Sequence, residues 1–143
     1  LTFRGAQGVF TLPQTIEKDI FLICTGTGIA PFRSMVNYLH IHNIHFQKIY
    51  LIFGCRKQED LLYFDELKAL QERLPGFHYL PTLSREHWEG HHGYVHHIYE
   101  ELCKDRQAAQ FFLCGWKHMI DEAKKRIQEM GYDRKAIHQE LYG

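Results

Sequence analysis

Cys24-Thr25-Gly26-Thr27-Gly28-Ile29-Ala30-Pro31-Phe32-Arg33-Ser34 decides how the rest of this chain is read. It follows the apolar run Ile20-Phe21-Leu22-Ile23 and precedes a helix-like segment, Met35 to His42. A strand, a tight glycine turn and a helix start together make an anion site. The glycines let the backbone come close to a phosphate, and the helix N-terminus offers unpaired N–H groups with a partial positive charge. Pro31 suits the first helical position, where no donor is needed. The spacing is G-x-G-x-x-P and not the G-x-G-x-x-G of ordinary dinucleotide folds. A glycine pair alone would be a plain turn; the longer string carries more information.

Outward from this segment, apolar runs alternate with amphipathic ones. Asp19 to Cys24 reads as a strand and Phe32 to His42 as a helix. Lys48 to Gly54 is a second strand, rich in β-branched and aromatic residues. Asp60 to Leu74 has helical spacing, stopped by Pro75-Gly76. Phe77 to Ser84 is a third strand, interrupted by Pro81; Tyr94 to Lys104 is helical. Gln110 to Cys114 is a fourth strand, Lys117 to Met130 a helix capped by Gly131, and Ala136 to Leu141 a last strand. Apolar runs without alternation suit strands covered on both faces. The order predicts an α/β three-layer sandwich around a five-stranded parallel sheet, Rossmann-like in architecture. Ligands of such sheets sit at the carboxyl ends of the strands.

The chain has 143 residues, 45% hydrophobic and 24% charged, with a formal net charge of zero. That suits one domain with a sizeable core. No basic field argues for nucleic acid or an anionic membrane, and no apolar run is long enough to span a bilayer. No signal-peptide pattern opens the chain, and Leu1 in place of Met suggests a fragment or a processed chain. None of Cys24, Cys55, Cys103 and Cys114 forms a C-x-x-C pair. Reduced thiols in a cytoplasmic protein are the expectation.

Every candidate residue follows a strand: Gly26 and Gly28 the first, Arg56 the second, Ser84 and Arg85 the third, Cys114 and Gly115 the fourth, Glu140 and Tyr142 the fifth. Arg85 offers a forked donor set suited to phosphate, and Ser84 one further bond. Glu86 is a nearby carboxylate of the kind that NAD sites turn toward ribose hydroxyls. Taken alone, Arg56 reads as a surface residue pairing with Glu59 or Asp60, and Cys114 as a buried structural cysteine. His87, His91, His92, His96 and His97 crowd one segment. His92 and His96 could share a helix face at metal-site spacing, but no H-E-x-x-H occurs, and solvated polar residues are the expectation for most of them.

Five separated segments together resemble the ferredoxin–NADP reductase family of flavoproteins. They are the Thr25 to Ser34 loop, Phe53-Gly54-Cys55-Arg56 with Asp60 to Tyr63, Ser84-Arg85, Cys114-Gly115 with Met119, and Glu140-Leu141-Tyr142. His92-Gly93-Tyr94-Val95-His96 resembles a Lys-x-Tyr-x-Gln pattern in which His92 replaces the Lys and His96 the Gln. A neutral His binds phosphate less well than Lys. The Trp88-x-Gly90 insert is similar to that of NADH-using hydroxylase reductases.

The resemblance implies hydride transfer between a nicotinamide and FAD, with NADP as coenzyme and NAD as the alternative. It implies that Thr25, Gly26, Thr27, Gly28 and Pro31 form the pyrophosphate and ribose turn. Arg56, Ser84 and Arg85 would hold the adenosine phosphate, with Tyr94 on adenine. Cys114, Gly115, Met119 and Glu140 would line the nicotinamide site, and Tyr142 would cover the flavin. Residues 1–12 look like the end of a FAD-binding barrel, and 13–143 like the nucleotide domain. The rest of that barrel, with its Arg-x-Tyr-Ser-type motif, is not in this sequence. The implied partners are that FAD domain in the same polypeptide and an electron carrier: ferredoxin, flavodoxin, an iron–sulfur domain or an oxygenase. The chain without the barrel is expected to bind flavin poorly and to show little reductase activity. Two other readings stay open: a nucleotide-sensing domain without catalysis, and a His-rich metal-binding domain.

Overall fold

The computed structural model describes residues 2–4, 9–11 and 16–141. An antiparallel hairpin, β1 (Thr2–Arg4) and β2 (Val9–Thr11), precedes the main body. The sheet then begins at β3 (Asp19–Thr25), whose Ile20 to Cys24 stretch is buried without a break. It continues through α1 (Ala30–Ile41), β4 (Ile49–Cys55), α2 (Phe64–Arg73) and β5 (Phe77–Leu83). The second half runs β6 (His91–His92), α3 (Val95–Leu102), β7 (Ala109–Gly115), α4 (Lys117–Glu129) and β8 (Ile137–Leu141). The strand order is β6-β5-β4-β3-β7-β8, and every pair is parallel. The chain therefore builds outward from β3 on one side, then crosses to β7 on the other. That reversal, between β3 and β7, is where such sheets open a crevice at their carboxyl ends.

Two apolar clusters cover the sheet, which makes the three layers. One joins Leu22, Phe53 and Phe112 to Phe32, Val36 and Leu67 of α1 and α2. The other joins Phe21, Ile52 and Phe111 to Tyr99, Ile120 and Ile127 of α3 and α4. Across the second face Phe21 stacks on Tyr50 at 4.8 Å and on Phe111 at 5.2 Å, which ties the three central strands together. Such cross-strand aromatic pairs add to the area they bury.

The sheet has six strands where the sequence pattern predicted five. The sixth, β6, is a two-residue edge strand at exposed His91 and His92, paired with Thr82 and Leu83. Backbone bonds hold it, so no apolar pattern marks it: Gly93 N–H donates to the Leu83 carbonyl at 2.8 Å, and Thr82 Oγ1 to the Gly93 carbonyl at 2.9 Å. This also corrects the shared helix face of His92 and His96. Tyr94 is extended (φ −99, ψ 158), and α3 begins only at Val95. Pro81 does not interrupt β5, because β6 reaches only Thr82 and Leu83 and leaves β5 an edge strand there, where proline is tolerated. The second helix starts at Phe64 and not Asp60, because Gln58 to Asp60 form a separate 3-10 turn and Tyr63 takes a left-handed conformation (φ 59).

The ends of β3 and β7 interlock. Thr25 Oγ1 accepts the Trp116 N–H at 3.2 Å. A Cβ at Gly115 (φ +148) would collide with Thr25 Oγ1, and one at Gly28 with the Cys114 carbonyl. Gly28→Ala therefore forces backbone against backbone, with no flexible side chain to yield. The expected loss is about 1–3 kcal/mol of unfolding free energy, as for other overpacked sites, read as a lower urea midpoint at unchanged slope. An unchanged midpoint would contradict this packing.

Candidate functional site

Strand ends bring the candidate residues together. Past the end of β5, Ser84 N–H still donates to the Cys55 carbonyl and Arg85 N–H to the Arg56 carbonyl, both at 3.0 Å. This continued pairing makes Arg56 and Arg85 backbone neighbours. A cleft of about 500 Å³ opens here, and Thr25, Gly54, Arg56, Ser84, Arg85 and Tyr94 are among its lining residues. Val95, His96, Trp116, His118, Met119, Glu122 and Arg126 line it as well. Tyr94 lines it with 64% of its surface exposed. A second cleft of about 360 Å³ lies beside the first, lined by Gly26, Thr27, Glu59, Asp60 and Leu62, and shares Cys55, Arg56 and Trp116 with it.

Most charges here are already committed. Arg126 bonds Glu100 at 3.0 Å and Glu122 at 2.8 Å. Arg33, within the opening motif, forks onto Glu66 of α2 at 2.6 and 2.8 Å and lies over the Tyr63 ring, so it joins two helices instead of facing the cleft. Glu86 Oε1 accepts the Gln58 N–H at 3.0 Å and lines neither cleft. Asp60 accepts the Lys57 N–H at 3.2 Å, and Arg56 does not pair with it; the Arg56 guanidinium lies 5.5 Å from the Trp116 ring centroid. Among the described residues the Arg85 side chain has no ion pair or hydrogen bond. A cleft of this size, with two guanidinium groups, a hydroxyl and an open aromatic ring, fits a phosphorylated nucleoside.

A family model described as the oxidoreductase NAD-binding domain matches residues 22–125. The chain belongs to that family. A ferredoxin–NADP reductase B from Sorangium cellulosum is 33% identical over 96% of this chain and 60% of its own length. An NADH-cytochrome b5 reductase 1 from Kluyveromyces lactis is 29% identical over 92% of this chain and 48% of its own. A solved ferredoxin NADP+ reductase from Neisseria gonorrhoeae, with FAD and NADP bound, superposes with a TM-score of 0.70 at 27% identity, over 90% of this chain and 57% of that one. The chain thus spans about half the length of the relatives it matches.

In this NAD-binding domain the remaining candidates fall as follows. Cys114 is fully buried with the α1-side cluster, behind Gly115, and lines neither cleft. Glu140 in β8 stands in register with Cys114, so the two share one level of the sheet. Tyr142 lies outside the described residues. Met119 lines the larger cleft and packs into the α3–α4 cluster. Pro31 sits buried in the first turn of α1. Burial raises the Cys24 thiol well above its usual value and the Cys55 thiol to about 12, so both are protonated and unreactive at neutral pH.

His92 does not line either cleft: its Nδ1 lies 3.0 Å from the Glu86 carbonyl, and its ring stacks on His87 at 4.1 Å. Trp88 donates to the His91 carbonyl at 2.6 Å, so the insert is held as a loop brace. Among the described residues no three His, Cys, Asp or Glu side chains converge as a metal site. Trp116 went unnoticed in the sequence, although a tryptophan straight after a strand-end Cys-Gly is the signal that could have found it.

His96 is a buried member of the cleft wall and not a solvated one. Its Nδ1 lies 2.6 Å from the Tyr99 hydroxyl. Burial, then the Arg126 charge, depress its pKa from 6.5 to about 4. The unfolded chain therefore takes up this proton first as pH falls. The stability that neutral His96 contributes is present above about pH 6.5 and is lost as pH drops toward 4. Urea unfolding at pH 7 and pH 5 should show a clear loss at pH 5, and His96→Gln should shrink that loss. An equal loss in both proteins would contradict the neutral, buried assignment.

Proposed function

We propose that this chain is the nicotinamide-nucleotide domain of a flavin-dependent reductase, with NADP(H) favoured over NAD(H). One observation carries the coenzyme choice: among the described residues Arg85 is uncommitted beside Ser84 and Arg56, whereas the carboxylate of Glu86 is spent on the Gln58 N–H. A 2′-phosphate needs forked donors, and a bare ribose diol a carboxylate; the cleft offers the first.

Arg56, Ser84 and Arg85 would bind the adenosine phosphate and Tyr94 would stack on adenine. The Gly26-Thr27-Gly28 turn, with Thr25 and Pro31 on its flanks, would bind the pyrophosphate through backbone N–H groups. Cys114, Gly115, Met119 and Glu140 would shape the nicotinamide end and exclude water from it, and Tyr142 would cover the flavin. The bound nucleotide supplies a hydride from nicotinamide C4 to flavin N5. The protein's share is to hold the two rings in contact.

FAD would be held by a barrel domain of the same polypeptide, of which residues 1–12 are the end and to which 13–143 are joined. The relatives' greater length supports this reading. The electrons would pass to a carrier such as ferredoxin, flavodoxin, an iron–sulfur domain or an oxygenase. A reducing compartment, the cytoplasm, suits four buried cysteines without a disulfide. No helix among the described residues is long and apolar enough to cross a membrane.

Calorimetric titration with 2′-phospho-AMP and AMP tests the coenzyme reading. The phosphorylated ligand should bind more tightly. Arg85→Ala should weaken it roughly ten- to a hundredfold, the worth of a hydrogen bond to a charged group, and leave AMP nearly unchanged. Equal losses for both ligands would reject Arg85 as the 2′-phosphate partner.

A further inference from the structure

Arg56 is a long, exposed side chain at the exit of β4. Its backbone is set by the Arg85 N–H, which donates to its carbonyl at 3.0 Å. Among the described residues its side chain makes no hydrogen bond or ion pair. Glu59 and Asp60 line the smaller cleft beside it, yet the contact it makes is with Trp116, whose ring centroid lies 5.5 Å from the guanidinium. Both residues line the larger cleft with Ser84 and Arg85. They come from opposite sides of β3, since Trp116 follows β7. Trp116 is itself anchored, at its backbone and along its ring. Its N–H donates to Thr25 Oγ1 at 3.2 Å, and its carbonyl accepts the Ile120 N–H at 3.1 Å as α4 begins. The indole lies against Gly26, where a Cβ would be 3.1–3.5 Å from its Cζ2, Cε2 and Nε1 atoms.

We infer that Trp116 is a positioning residue, whose indole holds the Arg56 guanidinium in place for the phosphate on the adenosine half of the nucleotide. The inference rests on the nucleotide reading of the site. A cation over a ring is held through its charge and not through a hydrogen-bond acceptor. The forked N–H donors of Arg56 therefore stay available to a phosphate, whereas a carboxylate partner would occupy them. An arginine free in solvent also loses rotamer freedom when a ligand fixes it. A contact formed beforehand takes up part of that loss before the ligand arrives. Tryptophan is the strongest ring for this purpose and phenylalanine a weaker one; leucine has no ring at all.

Calorimetric titration tests this. Trp116→Ala should weaken 2′-phospho-AMP binding roughly two- to fivefold, the worth of an exposed cation–π contact. AMP, which lacks the 2′-phosphate, should bind nearly as before. Trp116→Phe should recover part of the loss and Trp116→Leu none of it. In a chain that already carries Arg56→Ala, Trp116→Ala should have no further effect. An equal loss for both ligands, a loss that persists without Arg56, or recovery by leucine would overturn the inference, because the indole would then act on the nucleoside or only fill space. Should the Trp116 variants not fold, the heteronuclear NOE of the Arg56 Nε–H in the unsubstituted chain decides: it should approach backbone values, and the low value of a mobile side chain would overturn the inference. If neither ligand binds the unsubstituted chain, the nucleotide reading itself fails and the role of Trp116 falls with it. If 2′-phospho-AMP binds and the Trp116 variants bind it equally well, only the role of Trp116 falls.

Discussion

The close seating of β3 against β7 is the constraint on which this site depends. Two parallel strands that are adjacent in the sheet but distant in sequence must end at one level for a crevice to open between their exits. Gly28 against the Cys114 carbonyl, Gly115 against Thr25, and the bond from Trp116 N–H to Thr25 Oγ1 fix that level. The buried central strands stiffen it from below, with Phe21 stacked between Tyr50 and Phe111. The turn after β3 winds as a short 3-10 helix, Gly26–Ile29, that runs straight into α1, which is the placement the proposed pyrophosphate site requires.

The electrostatics follow a division of labour. Several charges are paired within the fold. Arg33 and Glu66 join α1 to α2, and Arg126 is shared by Glu100 and Glu122 across α3 and α4. The Glu86 carboxylate is drawn aside by the Gln58 N–H. What is left facing the larger cleft from the β4 and β5 exits is two guanidinium groups and the Ser84 hydroxyl. A domain of zero formal charge can therefore still present a local anion site.

Much of this was legible in the sequence, for physical reasons. Central strands such as Ile20 to Cys24 and Ile49 to Phe53 are continuous apolar runs because both faces are covered, and the helices between them carry clear apolar stripes. The turn at Gly26 and the exits at Arg56, Ser84 and Arg85 could be placed because topology puts all of them at one end of the sheet. β6 could not, since backbone bonding to β5 fixes two exposed histidines that have no apolar pattern. His96 looked like one more polar residue in a histidine run. Its contact with Tyr99 lies within α3, but its burial beside Glu122 and Arg126 of α4 is tertiary. The commitment of Glu86 and the placing of Trp116 over Gly26 are likewise tertiary contacts, over 28 residues in the first case. Local sequence does not encode either.

Backbone amide NMR during a titration with 2′-phospho-AMP tests the central claim most directly, because it locates the ligand without relying on catalysis. The largest shift changes should fall at the exits of β4 and β5 and at the start of α3, at Arg56, Ser84, Arg85 and Tyr94, with smaller ones at Thr25 and Trp116. Changes gathered instead on β8 and the far end of α4, with those strand exits silent, would contradict the account.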